Sequence, residues 1–262
     1  MIRVNGIPLD NPDLGWVFRP RSMPYSALEA SSDELRVAGR DGYVATPVTL
    51  SAPLMPLVVN TPPSGWEALL ALFTARQLVL TRDDEPDVQV SARLKGAGPD
   101  HVFARNEWID ATFIVELTEV YWRGKTVTTE SAPLDAASIT LEVFAGLSGS
   151  VGDALVRVQG PATGVRVTDA SGAWVAMPDT TAGQWVRFDS RTGRCFRTTA
   201  DAWSGGTDVS GLVDFGGPRG NFEVTPVLAP GNPASRTGRL TVTSATRAGA
   251  VIAVRGRSAR TI

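Results

Sequence analysis

The chain has 262 residues, 43% hydrophobic and 20% charged, with 25 basic and 27 acidic side chains and a formal net charge of −2. That apolar content offsets the entropy of ordering and excludes wholesale disorder; a chain of this length buries roughly 70% of its unfolded surface without needing a disulfide or a metal. No stretch approaches the about 18 apolar residues of a membrane-spanning helix, and the start, Met1-Ile2-Arg3-Val4-Asn5-Gly6, has neither the basic opening nor the apolar core expected of a signal peptide. Along the chain, residues 4–9 read as a first strand. Residues 35–39 and 43–50 flank Arg40-Asp41-Gly42, and an Asp-Gly pair between apolar stretches signals a hairpin. Four prolines, Pro53, Pro56, Pro62 and Pro63, bracket a short extended segment at 55–59. A helix is predicted from Ser64 to Arg76. Ser64 and Glu67 have capping-box spacing, and Trp66, Leu69, Leu70 and Phe73 fall at i, i+3, i+4, i+7, one apolar stripe suited to lying on a sheet. Strands at 77–81 and 88–94 follow, separated by the acidic turn Asp83-Asp84-Glu85-Pro86-Asp87. In the long run 107–122, Ala111, Phe113, Val115 and Leu117 alternate with Thr112, Glu116 and Thr118. That is the period-two mark of a half-buried strand, with Ile114 breaking the polar side.

Residues 126–137 are small and polar, contain Pro133, and read as a linker between two domains, 1–130 and 131–262. The first carries 12 basic and 17 acidic residues, net −5; the second carries 13 and 10, net +3. Neither balance is that of a nucleic-acid-binding domain. The second half shows short strands at 139–145, 154–159, 164–168, 173–177, 184–189, 194–198, 221–226, 239–245 and 251–255. Gly and Asp turns separate them, with Ser171-Gly172 and Thr192-Gly193 where tight turns belong. This is the pattern of an antiparallel two-sheet domain.

The chemistry-bearing residues are scarce. One Cys, Cys195, excludes an internal disulfide and fits synthesis in a reducing cytoplasm. With His101 the only His, a Cys/His zinc site lacks its third ligand, and triad catalysis would run through His101 alone. His101 follows Gly98-Pro99-Asp100 and is expected at a loop-to-strand junction. Cys195 is expected to be a buried, inert thiol. The acidic run 83–87 lacks the glycine and distal glutamate of an EF-hand and reads as a solvated turn. Gly205-Gly206 and Gly216-Gly217 do not join a strand to a helix, so they are not phosphate loops. Seven tryptophans remain. Trp174 and Trp185, eleven residues apart, are placed on adjacent strands within cross-strand reach, where they suit the core, a sugar ring or a protein partner. No nucleophile–base set, cofactor loop or metal cluster emerges, which favours a structural or binding protein over an enzyme.

Three features carry a resemblance. One is the hairpin Val37-Ala38-Gly39-Arg40-Asp41-Gly42-Tyr43. Another is the order strand, helix, strand, acidic turn. The third is the run Val165-Arg166-Val167-Thr168-Asp169-Ala170-Ser171-Gly172-Ala173-Trp174 followed by Ala182-Gly183-Gln184-Trp185-Val186-Arg187-Phe188-Asp189. Together they resemble the distal tail proteins of long, non-contractile-tailed bacteriophages, also called minor tail proteins in phages of actinobacteria. The resemblance implies a mainly β chain. Its first domain would be a tail-tube-like β-sandwich or split barrel with one α-helix, and its second a galectin-like or jelly-roll β-sandwich. It further implies a ring, usually of six copies, between the tail-tube protein and the tail-tip hub protein, through which DNA passes. Receptor-binding or other tip proteins would be held outside, with no cofactor, no metal, no membrane insertion and no sequence-specific nucleic acid. The protein would be made in the host cytoplasm and reside in the virion. Head-to-tail ring contacts close by rotation and can join strand edges. The candidates for this are Arg40, Asp41 and Gly42 in the hairpin and the strand of Phe113, Val115 and Leu117. A net charge of −5 suits a channel that must not grip DNA. Two other readings compete: a carbohydrate-binding sandwich for host-surface attachment using Trp174 and Trp185, and a tail-associated cell-wall hydrolase.

Overall fold

The computed structural model describes residues 1–19, 29–31, 34–35, 44–45, 49–103, 108–229 and 232–261. The chain is mainly β and divides into two compact units, Met1–Lys125 with residue 261, and Thr126–Arg260.

In the N-terminal unit, β1 (Ile2–Val4) and β2 (Ile7–Pro8) form a hairpin where the sequence suggested one strand. Asn5 and Gly6 both take positive φ, 49° and 82°, the conformation an Asn-Gly pair adopts in a two-residue turn. After β3 (Val17–Phe18) come four short strands, β4 (Ala30–Ser31), β5 (Glu34–Leu35), β6 (Val44–Ala45) and β7 (Thr49–Leu50). β4 pairs with β7 and β5 with β6, so the strands nest on either side of the hairpin read from the sequence. Then follow β8 (Leu54–Thr61), helix α1 (Pro63–Phe73), β9 (Leu78–Arg82), the sixteen-residue β10 (Val88–Phe103), β11 (Trp108–Leu117) and β12 (Trp122–Gly124). The main sheet is a curled half-barrel in the order β2-β1-β9-β10-β11-β8-β3, antiparallel throughout, with β12 beside the start of β10.

One face of this sheet is dry: Met55, Leu57, Val59, Leu80, Val90, Phe113 and Val115 alternate inward on their strands. The helix covers that face. Leu69 and Phe73 are fully buried, Trp66 and Leu70 partly so, and Phe73 stacks on Phe113 with ring centroids 4.0 Å apart. The helix begins at Pro63, two residues before the Gly65 start that a Ser64–Glu67 capping box sets. Pro62 is the cap, Pro63 sits in the first turn, and no side chain caps the helix. Proline is pre-set for a first turn whose N–H has no partner anyway, so it displaces the Ser64–Glu67 box. Gly65 allows the chain to pass: a Cβ there would lie 2.3 Å from Thr61 Oγ1.

In the C-terminal unit, two sheets pack face to face. The first has the order β13 (Thr128–Pro133), β24 (Val251–Gly256), β15 (Leu155–Gln159), β18 (Trp185–Asp189), β19 (Arg194–Thr198), β20 (Thr207–Asp208). The second has the order β14 (Ser138–Val143), β23 (Asn232–Thr243), β16 (Arg166–Asp169), β17 (Trp174–Ala176), β21 (Asp214–Gly216), with β22 (Pro226–Ala229) also on β23. A last short strand, β25, spans Ala259–Arg260. Valines and Phe188 of the first sheet face Val167, Val175, Leu240 and Val242 of the second, and the Phe188 ring lies 5.2 Å from Phe215 and 6.2 Å from Phe222. Gly172 and Gly193 take positive φ in the turns expected there. Two expectations fail. Half of the anticipated linker is strand β13, an exposed sheet edge whose small polar residues imitate a linker. Residues 221–225 hold only the bridge Val151–Val224, because Phe222 turns into the core and Thr225 is claimed by Asp169.

Candidate functional site

The strand nominated for subunit contacts turns its nominated residues the wrong way. Phe113, Val115 and Leu117 are fully buried, and β11 is paired along one side with β10 and along the other with β8. A residue that supports its own core has no surface left for a neighbour. The same strand presents Thr112, Ile114 and Glu116 outward, with Ile114 exposed opposite Pro56 of β8. Glu116 is gripped by Arg93 and by Lys95 at 3.3 Å, and the Arg93 contact above all lowers its pKa. The other nominated group, Arg40, Asp41 and Gly42, lies outside the described residues.

The open backbone of this unit is elsewhere. β9 covers only Gln89–Ala92 of β10, and the edge of β10 opposite β11 has no strand partner from Arg93 to Phe103 among the described residues. The edge of β8 away from β11 is taken by β3 only at Val59 and Asn60, leaving that edge without a strand partner from Leu54 to Leu57 among the described residues. Unpaired N–H and C=O rows are templates for pairing with another chain. The sequence hid the β10 edge because Gly96, Gly98 and Pro99 look like strand breakers. Register shifts between Leu94 and Gly96 and between Pro99 and His101 carry the ladder across them. For the same reason His101 is not at a loop-to-strand junction but within β10, two residues before its end and opposite Asp110.

Acidic residues 83–87 are tied to arginines: Asp83 to Arg3 at 2.6 Å and Asp84 to the buried Arg82. The Arg82 hydrogen bond holds the Asp84 carboxyl at about 2.

In the sandwich, Trp174 and Trp185 belong to different sheets, β17 and β18, so they are not cross-strand neighbours. The chain between them crosses from one sheet to the other instead of turning back on itself. Trp174 stacks under the Arg166 guanidinium at 3.9 Å, and Trp185 sits opposite Gln159 and Thr198. Cys195 is fully buried, and burial pushes its thiol up to about 12, so it is no nucleophile at neutral pH. Asp169, also buried, accepts from the Ser171 N–H at 2.8 Å, the Thr225 N–H at 2.9 Å and the Thr225 hydroxyl at 2.5 Å. It pins the β16–β17 turn to the segment that leads into β22, a structural duty.

A half-barrel sheet with one helix on its dry face, followed by a two-sheet antiparallel sandwich, is a Dit-like fold. Among solved structures the chain is similar to the Dit (gp 19.1) protein of SPP1, described as a paradigm of the hub adsorption apparatus in phages that infect Gram-positive bacteria. The likeness covers 98% of both chains at a TM-score of 0.59 and 14% identity. Components of the phage P2 baseplate in its activated conformation also align, over 92% of this chain and 90% of theirs, at 8% identity and a TM-score of 0.37. No family model and no curated protein matches the sequence.

Proposed function

We propose that this chain is a distal tail protein, a structural part of a phage tail tip, and not an enzyme. The observation that carries the reading is a fold shared from end to end with a hub adsorption protein. In this reading six copies close into a ring between the tail tube and the tail-tip hub, and DNA passes through the hole. The protein resides in the virion after synthesis in the host cytoplasm, and the sandwich serves as the mount for other tip proteins. The edges of β10 and β8 that have no strand partner among the described residues support ring closure better than the buried face of β11. They lie on opposite sides of the β10–β11–β8 set, so one copy's β10 edge can meet the next copy's β8 edge head to tail. Purified protein imaged by negative-stain electron microscopy, with its mass measured by light scattering, tests this. Annular particles near six times the chain mass are expected. A chain that stays monomeric at high concentration and is missing from virions overturns it.

A further inference from the structure

The outward face of the β13–β24–β15–β18–β19–β20 sheet carries an unusual row of side chains. Register places Ala253 of β24, Arg157 of β15, Arg187 of β18 and Phe196 of β19 opposite one another in turn. Like charges directly opposite each other on an antiparallel pair repel. Here water does little to screen them: Arg187 is 8% exposed and the Arg157 side chain 13%. The cover comes from the loop at residues 199–206. Its Trp203 ring lies 4.2 Å from the Arg157 guanidinium and 5.5 Å from that of Arg255. Its Asp201 pairs with Arg157 at 2.6 Å, and its Gly205 carbonyl accepts one long hydrogen bond, 3.4 Å, from Arg187 Nη2.

The donors are poorly used. Nε of Arg187 is buried without a hydrogen bond. Nη1 of Arg157 is held by the charge of Asp201 but lacks hydrogen-bond geometry. Arg255 makes no ion pair among the described residues and rests against Trp203. Asp189 lends charge to Arg187 from two residues away, but it accepts the Arg191 backbone N–H. The carboxylate that does engage the cluster, Asp201, is 70% exposed. A fold gains nothing from two opposed, desolvated guanidiniums that a neutral side chain of similar volume would replace. Such an arrangement makes sense where an outside anion completes it.

We propose that this face is an oxyanion site, in which Arg157 and Arg255 beside Trp203, with Arg187 opposite Arg157 and over Phe196, take a phosphate group. Three planar forks offer more donors than the two oxygens of a carboxylate can accept, so phosphate is the better fit. Asp201 is the internal group that phosphate displaces from Arg157. A phosphodiester polymer and free phosphate share this chemistry.

Thermal unfolding of the full chain tests the site. It compares sodium phosphate and a glycerol-phosphate polymer with sodium chloride at equal ionic strength, and with sodium fluoride, a kosmotropic salt that is not an oxyanion, as a control for general salting effects. The expected result is a rise of the sandwich midpoint in phosphate or polymer beyond that in chloride and fluoride. Arg187→Met abolishes the rise, and Asp201→Asn tightens the apparent affinity by roughly threefold to tenfold, because a competing charge is gone. A rise with inorganic phosphate identifies the free ion as sufficient; a rise with the polymer alone identifies a phosphodiester chain. Equal midpoints in phosphate, polymer and chloride overturn the proposal, and so does a full response in Arg187→Met. Should Arg187→Met fail to fold, Asp201→Asn decides: a tighter response supports the site, and an unchanged or weaker one overturns it.

Discussion

In the N-terminal unit a helix brings the aromatic rings to the sheet: Phe73 and Trp66 close on Phe113 from one side. In the C-terminal unit no helix takes part, and Phe188, Phe215 and Phe222 meet between two sheets. The charges differ as well. The first unit ties its acidic turn to Arg3 and Arg82. The second buries Asp169 against two backbone N–H groups and a hydroxyl, with no cation bonded to it among the described residues. One period-two pattern thus yields a half-barrel where a helix supplies the second layer, and a sandwich where another sheet does.

The sharpest way to break this contrast is Phe113→Ala. It removes the ring on which Phe73 and Trp66 converge and is expected to cost about 3–5 kcal/mol. Chemical unfolding followed by tryptophan fluorescence and by far-UV circular dichroism will show an early transition from the N-terminal unit, with the C-terminal one unmoved. A joint shift of both transitions would mean that the units unfold as one. Next comes Asp169→Ala, which orphans the Ser171 and Thr225 donors. It is expected to lower the stability of the sandwich by about 3 kcal/mol, since bonds to a buried charge are among the stronger ones. A midpoint unchanged in urea would mean that the turn holds without its acid.

The smallest effect belongs to Asp84→Asn, at less than about 1 kcal/mol, because the carboxylate is half-exposed and its pairing is screened. The sign is fixed by the lowered pKa. Asp84 contributes stability that is present above its ordinary value near 4 and is lost as pH falls toward 2. Acid titration of the N-terminal transition should therefore flatten between those limits in the variant. An identical acid limb would assign the loss to other carboxylates.

Alternation was enough to locate β11, and the stripe of Trp66, Leu69, Leu70 and Phe73 was enough to locate the helix, because both patterns record which face is dry. Local chemistry misled where two devices competed for one position. Pro63 took the first turn from the Ser64 box, and the bulges carried β10 through glycines and a proline that look like a stop. The two-unit β architecture and its likeness to tail proteins were legible, whereas the surfaces were not. A strand's sequence tells which side chains share a face but not which strands flank it, so the pattern of Phe113, Val115 and Leu117 suggests an edge for pairing with a neighbour where β10 and β8 already flank β11. The arginine row was hidden for a related reason. Arg157 and Arg187 stand thirty residues apart, and only the β15–β18 register sets them opposite each other.

The sealed state of Cys195 has a practical consequence. It is the single sulfhydryl in the sequence, and it sits fully buried with its proton held. A cysteine introduced at an outward position such as Ile114 or Thr112 becomes the one site a maleimide dye can reach in the folded protein. Whether copies come together as proposed, and at what spacing, can then be measured by energy transfer without first deleting the native thiol.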